Sequence, residues 1–534
     1  MNNITNTLKS AKKDLESIGK LLEPVDAGSE DIEQKSGQST KIVQLVLSGG
    51  IDIFLNQFNE PYIALPDSSF IAEPLSSKKT EALLFKLFWD KYGKVPGQKA
   101  VSDAINLLRG HVLFSNQRHR EVHNRIGRYG EILYYDLGDN KHVIHISKDG
   151  WKIETDCPIV FQRYSHQKIQ IMPQRGGNMK DILPLINITD KASQLLFLTH
   201  LPVCFIPDIP RAVFTLSGAP GSAKSTLLKM MRQLIDPSAT PLLTHNPDIK
   251  ELIQTASHQY VIFMDNLSFL PEKLSDVLCR IVTGDAFSKR ELWTNDNDVL
   301  YSFKRAVGIC GVNLVATKPD LLSRSLIIKL ELISEDTRRE EKVVLDIEFE
   351  KIRPFLFGAI LDCLVFCLKF APTLELKTLP RMADHFRYSA AAAQFLGYTV
   401  DDLYSASKMN TKNQNEEALD ASVVAQVILE FMADKDEWKG TSTDFFKETL
   451  EIAEKLKVEK SFPANASVLV KKMKEVETNL LAEGIKAVKG IRTGRGNTVD
   501  LSKVGIQRVP HNDDISFIEP TSGSVEGVEP EFPF

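Results

Sequence analysis

Residues 212–231 read Ala212-Val213-Phe214-Thr215-Leu216-Ser217-Gly218-Ala219-Pro220-Gly221-Ser222-Ala223-Lys224-Ser225-Thr226-Leu227-Leu228-Lys229-Met230-Met231. An apolar run fit for a buried strand leads into a glycine-bearing loop, and a helical pattern follows. That is the setting of a phosphate-binding loop. Gly218 and Gly221 let the chain curl so that backbone N–H groups converge on phosphates, and the start of the next helix adds its positive dipole end. In this reading Gly218 to Thr226 form the nucleotide cradle, Lys224 reaches the β and γ phosphates, and Ser225 holds Mg²⁺. One position departs from the strict motif, because Ala223 stands where glycine is usual. The plain alternative is a glycine-rich turn that binds nothing. The strand–loop–helix setting and the adjoining Lys-Ser-Thr weigh against it.

A second half of a nucleotide site follows downstream. Tyr260-Val261-Ile262-Phe263-Met264 is an apolar run fit for a buried parallel strand, and it ends in Asp265-Asn266. A carboxylate at that tip orients the waters around Mg²⁺. Asn266 cannot accept a proton, so either it positions the attacking water or another group is the base. A core strand closed by a polar turn explains this segment as well when it is taken alone, and less well beside the loop.

Further polar stations come in a fixed order: Leu274-Ser275-Asp276, Thr283-Gly284-Asp285, Lys289-Arg290-Glu291-Leu292, Thr294-Asn295-Asp296-Asn297-Asp298, Lys304-Arg305, and Pro319-Asp320-Leu321-Leu322-Ser323-Arg324-Ser325. Together with the loop and with Asp265-Asn266-Leu267-Ser268, this order resembles the ATPase module of helicases carried by phages, plasmids and integrative elements. Those are AAA+ proteins of the superfamily-3 or MCM-like kind, often found with primases. In that family alanine before the loop lysine and asparagine after the strand-tip aspartate are familiar. The resemblance runs from about residue 120 to about residue 390, more weakly to about residue 500, and does not cover residues 1–75.

The resemblance implies an α/β fold, with an AAA+ P-loop core on a parallel sheet, a small α+β N-terminal domain, a helical lid and a C-terminal winged helix. It implies ATP and Mg²⁺ as cofactors, and a ring, usually a hexamer, in which Lys224, Asp265 and Asn266 of one subunit meet the arginine finger of the next. Arg324 matches that finger; by itself it would read as a surface ion-pair partner. The sensor asparagine falls on Cys310, whose thiol is a poor donor, with Asn313 three residues on. Glu291-Leu292-Trp293 and Val299-Leu300-Tyr301 flank a turn signal, so a hairpin is expected there. In ring helicases that hairpin touches single-stranded DNA. Its tip here is acidic, which leaves Lys289, Arg290, Lys304 and Arg305 at the base as the DNA-contact candidates. Ordinary solvated charge is the plain alternative for each of them.

Composition is compatible with this class. The chain has 534 residues, 43% hydrophobic and 25% charged, with a net charge of −5. That length allows three or four cored domains, and the charge confines any nucleic-acid binding to local patches. Six cysteines lie in apolar stretches without a Cys-x-x-Cys pair. They read as reduced core thiols, and a cytoplasmic protein without a zinc site is expected. No secretory leader is apparent, and the apolar run from Ala192 to Ile206, interrupted by His200 and Pro202, is too short to span a bilayer.

The expected organisation is a flexible segment over 1–75 with one possible helix, a helical plus β-meander collar-like domain over 76–180, a core over 181–350 and a helical lid over 351–409. A polar linker at Asn410–Glu417 then leads to a winged helix over 418–505 and an acidic tail over 506–534. In the meander, Tyr135 and Trp151 could stack on bases, although core packing is the commoner fate of such aromatics. In the last domain an amphipathic helix over Ala466–Leu480 carries Lys471 and Lys472. A basic hairpin bearing Lys486, Arg492 and Arg495 follows, and helix and wing would touch DNA phosphates. Many winged helices bind protein instead. The tail holds six acids over residues 511–534 and ends in Pro533-Phe534. It resembles the tip of bacterial single-stranded-DNA-binding proteins, with a solubilising disordered tail the favoured reading.

The expected function is therefore an ATP-dependent DNA helicase for replication of a mobile element, acting on single-stranded and forked DNA. The partners expected are a primase, which this chain lacks the carboxylate cluster to replace, and a single-stranded-DNA-binding protein. The alternative is a nucleotide-switched initiator or loader, and a regulatory ATPase acting on protein is a third.

Overall fold

The computed structural model describes residues 37–66, 68–114, 118–244, 247–288, 300–312, 314–316, 318–337, 340–493 and 496–505. The chain divides after Val122 into two units. The first holds helix α1 (Gln38–Ser48), the antiparallel strands β1 (Ile53–Leu55), β2 (Pro61–Leu65) and β3 (Ser68–Pro74), and helices α2 (Lys78–Tyr92) and α3 (Gln98–Phe114). Ser77 starts α2 by accepting from the Thr80 N–H at 3.1 Å, and Gly93, in the left-handed conformation, ends it. Ile42, Val46, Ile63, Leu84, Phe88, Val101 and Leu108 share one core. This corrects the expectation of a flexible segment over 1–75, because residues 38–74 are folded. It also corrects the 76–180 domain, since α2 and α3 pack with these strands while the meander belongs to the second unit.

The second unit opens with that meander, β4 (Ile126–Tyr129), β5 (Ile132–Asp136), β6 (Val143–Ser147) and β7 (Gly150–Glu154), paired in sequence order. Its aromatics are structural. The Tyr135 ring is fully buried and its hydroxyl donates to the Ile235 carbonyl at 3.1 Å, while the buried Trp151 donates to Asp362 at 2.7 Å. Helix α4 (Lys191–Val203) then leads to a four-stranded parallel sheet built from β8 (Val213–Ser217), β9 (Val261–Leu267), β12 (Ala306–Gly311) and β13 (Ser325–Lys329), in the order β9-β12-β8-β13. The crossovers between these strands carry α5 (Lys224–Ile235), α6 (Ile249–His258), α7 (Glu272–Thr283), the hairpin strands β10 (Phe287–Ser288) and β11 (Leu300–Tyr301), and a single turn, α8 (Pro319–Leu322). The apolar runs recognised in the sequence are these strands, buried on both faces as parallel strands are.

Helices α9 (Asp346–Phe370), α10 (Ala383–Phe395) and α11 (Val400–Asp420) cover one side. Helix α9 starts before Pro354, which lies inside it. Between Asp346 and Thr373 an 18-residue window is apolar enough to cross a bilayer, with mean hydropathy 1.9, and 56% of that window is buried within the protein. The expected linker at Asn410–Glu417 is the interior of α11. Asn410 turns inward, donating to the Ile327 carbonyl at 2.7 Å, and Gln414 donates to the Ser325 carbonyl at 2.5 Å. The last part follows as α12 (Val423–Met432), β14 (Glu437–Thr441), α13 (Ser442–Lys455), α14 (Ala466–Glu475), α15 (Glu477–Ala482), β15 (Ile485–Thr493) and β16 (Gly496–Lys503), with the antiparallel sheet order β14-β16-β15 around its own core.

A buried ion cluster joins the meander to the core. Asp236, at the end of α5, is fully buried and accepts from Arg125 Nε at 2.8 Å; its other oxygen faces Arg232 at 3.3 Å. Arg125 also donates to the carbonyls of Asp136, Lys168 and Pro237, and Arg232 to that of Val261. Burial alone would raise the Asp236 pKa, but the two guanidiniums outweigh it and hold the carboxyl below its ordinary range. A depressed folded-state pKa means that this stabilisation is present above the unfolded value of about 3.9 and is lost as the pH falls below it. Asp236→Asn, which leaves two buried cations uncompensated, is expected to destabilise the protein by about 3–5 kcal/mol. Thermal melts should record that loss at pH 7 and a shallower decline below about pH 5 in the variant than in the parent chain.

Candidate active site

The loop expected to bind phosphate joins β8 to α5. Gly218 (φ +148°), Gly221 (φ +85°) and Ala223 (φ +65°) all take positive φ, so Ala223 occupies a conformation usually reserved for glycine. A Cβ on Gly218 would strike the Leu330 carbonyl and press on Ser222 Oγ. Lys224 opens α5, is almost wholly buried, and donates to the carbonyls of Gly218 (2.8 Å) and Ala219 (3.0 Å) and to Ser222 Oγ (3.2 Å). Ser225 follows on the first turn, half-buried. Asn187 braces the loop from outside, its amide donating to the carbonyls of Ser222 at 3.2 Å and Glu331 at 2.7 Å. No motif marks Asn187; it sits in an ordinary Ile-Asn-Ile-Thr string, so only the fold reveals it. A curled loop at a helix N-terminus, with a lysine and a hydroxyl, is a donor set that fits a nucleotide triphosphate and its Mg²⁺.

Asp265 stands at the same end of the sheet. Its strand β9 pairs with β12 up to Met264, and the register then shifts before Leu267. Asn266 sits in this irregularity at φ +56°, exposed, donating its N–H to Asp265 Oδ1 at 2.7 Å. Between Asp265 and the loop lies the tip of β12, and there Cys310 donates its thiol to Asp265 Oδ1 at 2.7 Å. Burial first and the bond to Asp265 second push the Cys310 thiol up to about 12. Lys224, Asp265 and Cys310 thus gather at one sheet end. Asn313 lies outside the described residues.

Arg324 is at the opposite end. Its carbonyl accepts from the Val213 N–H at 2.8 Å, where β8 begins, whereas the phosphate loop leaves β8 after Ser217. Five residues at about 3.3 Å each put roughly 13 Å or more of strand between them. Arg324 is held by Asp320 at 2.5 Å, and Arg381 shares that carboxylate at 2.6 Å while donating to Ser323 Oγ at 2.6 Å. Burial tends to raise the Asp320 pKa, and the bonds from Arg324 and Arg381 prevail and lower it. Arg381 carried no sequence signal beyond its place in a Pro-Arg-Met string.

The DNA candidates scatter. The hairpin exists, with Phe287 opposite Tyr301 and Ser288 opposite Leu300, but Lys289, Arg290 and the turn lie outside the described residues. Arg305 faces inward, donating to the Ala256 carbonyl at 2.6 Å beneath the Phe303 ring, and burial lowers its pKa to about 10. Lys304 donates to the Asp208 carbonyl. Both are struts rather than the outward contacts expected of them, because backbone carbonyls left over at strand and helix ends need donors. Lys471, Lys472 and Lys486 are exposed; Lys472 is 3.3 Å from Glu475 and 3.9 Å from Glu272. Arg492 lies in β15, and Arg495 lies outside the described residues.

The Cys310–Asp265 contact gives a chemical signature. Asp265→Ala removes the carboxylate that the thiol faces, so alkylation of Cys310 by iodoacetamide at pH 8 should accelerate about tenfold for each unit by which its pKa falls. Peptide mass spectrometry reads the rate at that cysteine, and an unchanged rate would leave burial alone as the cause.

Residues 179–414 match the family model described as the actinomycete integrative conjugative element replication protein, and residues 424–511 match the C-terminal domain model of the same replication protein. A search of the curated proteins found no match. Among solved structures, the C-terminal region of NrS-1 is 11% identical, covering 88% of this chain and 100% of that one with a TM-score of 0.37. The SCCmec type IV Cch, titled an active helicase, is 14% identical, covering 85% and 93% with a TM-score of 0.43. The JCV helicase is 17% identical, covering 45% and 65% with a TM-score of 0.25. The two family models together span the phosphate loop, Asp265, Cys310, Arg324 and the last domain, and the chain belongs to the family of integrative conjugative element replication proteins.

Proposed function

We propose that this replication protein is an ATP-driven DNA helicase with an AAA+ core, working as a ring in the cytoplasm. The observation that carries the reading is the two-ended sheet. Lys224, Ser225 and Asp265 lie at one end and Arg324 at the other, so Arg324 cannot serve its own phosphate loop. An arginine that stabilises charge on a transferring phosphoryl group must then serve a neighbour's loop, which requires a closed assembly such as a hexamer.

In that assembly the loop N–H groups and Lys224 hold the β and γ phosphates, and Ser225 and Asp265 hold Mg²⁺ and its waters. ATP supplies the phosphoryl chemistry, and the protein contributes position and charge. The last domain, read as a winged helix because a terminal hairpin follows its helices, would present Lys471, Lys472, Lys486, Arg492 and Arg495 to DNA. Asn266 and Cys310 favour a second reading. Neither accepts a proton readily at neutral pH, so turnover is expected to be slow, as in a nucleotide-switched initiator or loader. A primase and a single-stranded-DNA-binding protein are the partners that either reading needs.

Strand displacement on a forked duplex separates the two readings. Lys224→Ala and Arg324→Ala should each lower DNA-stimulated ATP hydrolysis at least about a hundredfold, within the range for lost charge stabilisation. Mixing the two variants should restore part of it, because an intact loop on one subunit then meets an intact arginine on the next. ATP hydrolysis without displacement would select the switch. Full activity in both single variants would remove the shared site.

A further inference from the structure

The first unit carries a largely exposed aromatic on a solvated helix face. Along α2, Thr80, Leu84 and Phe88 are buried, while Ala82, Lys86, Trp89 and Gly93 form an exposed stripe on the other side. Trp89 is 54% exposed. Its neighbours one turn away are Phe85 and Tyr92, both half-buried, Gly93, too small to cover the indole, and Lys86, whose ammonium pairs with Asp90 at 2.5 Å. The helix bears Lys78, Lys79, Lys86 and Lys91 against Glu81 and Asp90, and Lys94 follows at once. One turn on, Tyr92 tilts against Phe88 at 4.7 Å with the Lys41 ammonium 5.4 Å from its ring centroid.

Which ligand suits this face follows from its chemistry. A protein partner is usually met by a contiguous apolar patch, and on this stripe the indole is a single large exposed apolar side chain, flanked by the half-buried Phe85 and Tyr92 and by Lys78 and Lys86. A duplex offers phosphates and groove edges but no open base face for an indole. Single-stranded nucleic acid offers both a π-face for stacking and phosphates for ammonium groups, and it tolerates an open surface. The 15 residues of α2 are about 22 Å long at about 1.5 Å each, long enough to track several nucleotides.

We propose that the α2 stripe is a binding surface for single-stranded nucleic acid, in which a base stacks on Trp89 while Lys78, Lys86 and Lys94 neutralise phosphates beside it. This surface is separate from the nucleotide site and does not depend on ATP hydrolysis.

The test uses the full chain without nucleotide and a fluorescein-labelled twenty-residue oligothymidine, with a duplex of equal length as the control. Trp89→Ala should raise the Kd for the oligothymidine about tenfold, within the range measured for loss of one base–aromatic stack, and leave the duplex Kd unchanged. Trp89→Phe should bind almost as the parent chain does, which separates lost stacking from misfolding. Lys86→Ala should flatten the salt dependence of log K by about 0.7, one phosphate's worth on a single strand. An oligonucleotide carrying 5-iododeoxyuridine should photocrosslink at Trp89, in the Lys224→Ala chain as in the parent. Equal single-strand affinity for Trp89→Ala with crosslinks mapping elsewhere would overturn the proposal, as would an equal loss on the duplex; the face would then be a protein contact.

Discussion

One buried carboxylate positions both elements on which the nucleotide site is built. Asp236 caps the end of α5, whose first residue is Lys224, and the twelve residues of that helix form a rigid rod of about 18 Å. The same carboxylate faces Arg232, which donates to the carbonyl of Val261 at the start of β9, and β9 carries Asp265 four residues on. Loop and aspartate are therefore fixed at their far ends by one anion. Desolvating three charges costs several kcal/mol per ion unless each finds partners. Arg125 finds them in three carbonyls and in Asp236 itself, and two of those carbonyls, from Asp136 and Lys168, belong to the meander and the segment that follows it. The meander is thus part of the mounting of the parallel sheet rather than an independent collar.

The parallel sheet then imposes the division of labour. Loops at the C-terminal edges of β8 and β9 hold Lys224, Ser225 and Asp265, and the segment entering β13 holds Arg324. No side chain crosses the length of a strand, so two ends of one sheet cannot meet on one triphosphate. The covering helices are pinned to the arginine end, since Asn410 and Gln414 bond to carbonyls of Ile327 and Ser325 and Arg381 shares Asp320 with Arg324. A movement of these helices would be felt at Arg324 before it reached the phosphate loop.

What was legible in the sequence follows from how local each constraint is. The strand–loop–helix around Lys224 needs its residues in succession, and Asp265 closes an apolar run, so both of these settings were readable without a fold. The segment before residue 75 was not, because its strands run to as few as three residues and their hydrophobics scatter among turn residues. Asn410 to Glu417 looked like a linker because its inward residues are themselves polar, bonded to sheet carbonyls, and so mimic a solvated pattern. Lys304 and Arg305 misled in the same way. A cation in sequence points outward by default, and only the fold shows the carbonyls of Asp208 and Ala256 waiting for them. Asn187 and Arg381 act through residues far off in the chain, which no local motif records.

The two departures from the usual nucleotide-binding pattern share one backbone feature. Ala223 and Asn266 both sit at positive φ, where a side chain other than glycine costs roughly 1–2 kcal/mol and asparagine is the better tolerated of the two. At Ala223 the strain is carried by a loop clamped through Asn187 and through Lys224. At Asn266 the register shift after Met264 forces the left-handed turn, and a glutamate there would meet the same conformational cost without asparagine's tolerance. Asn266 is therefore accounted for by its backbone, and its exposed side chain is not held toward the phosphate loop by any described contact. The groups left to order water at that sheet end are Asp265 and Cys310, which hold each other at 2.7 Å. Because the thiol yields its proton far less readily than it shares it, any approach of a cation to Asp265 must first compete with that bond.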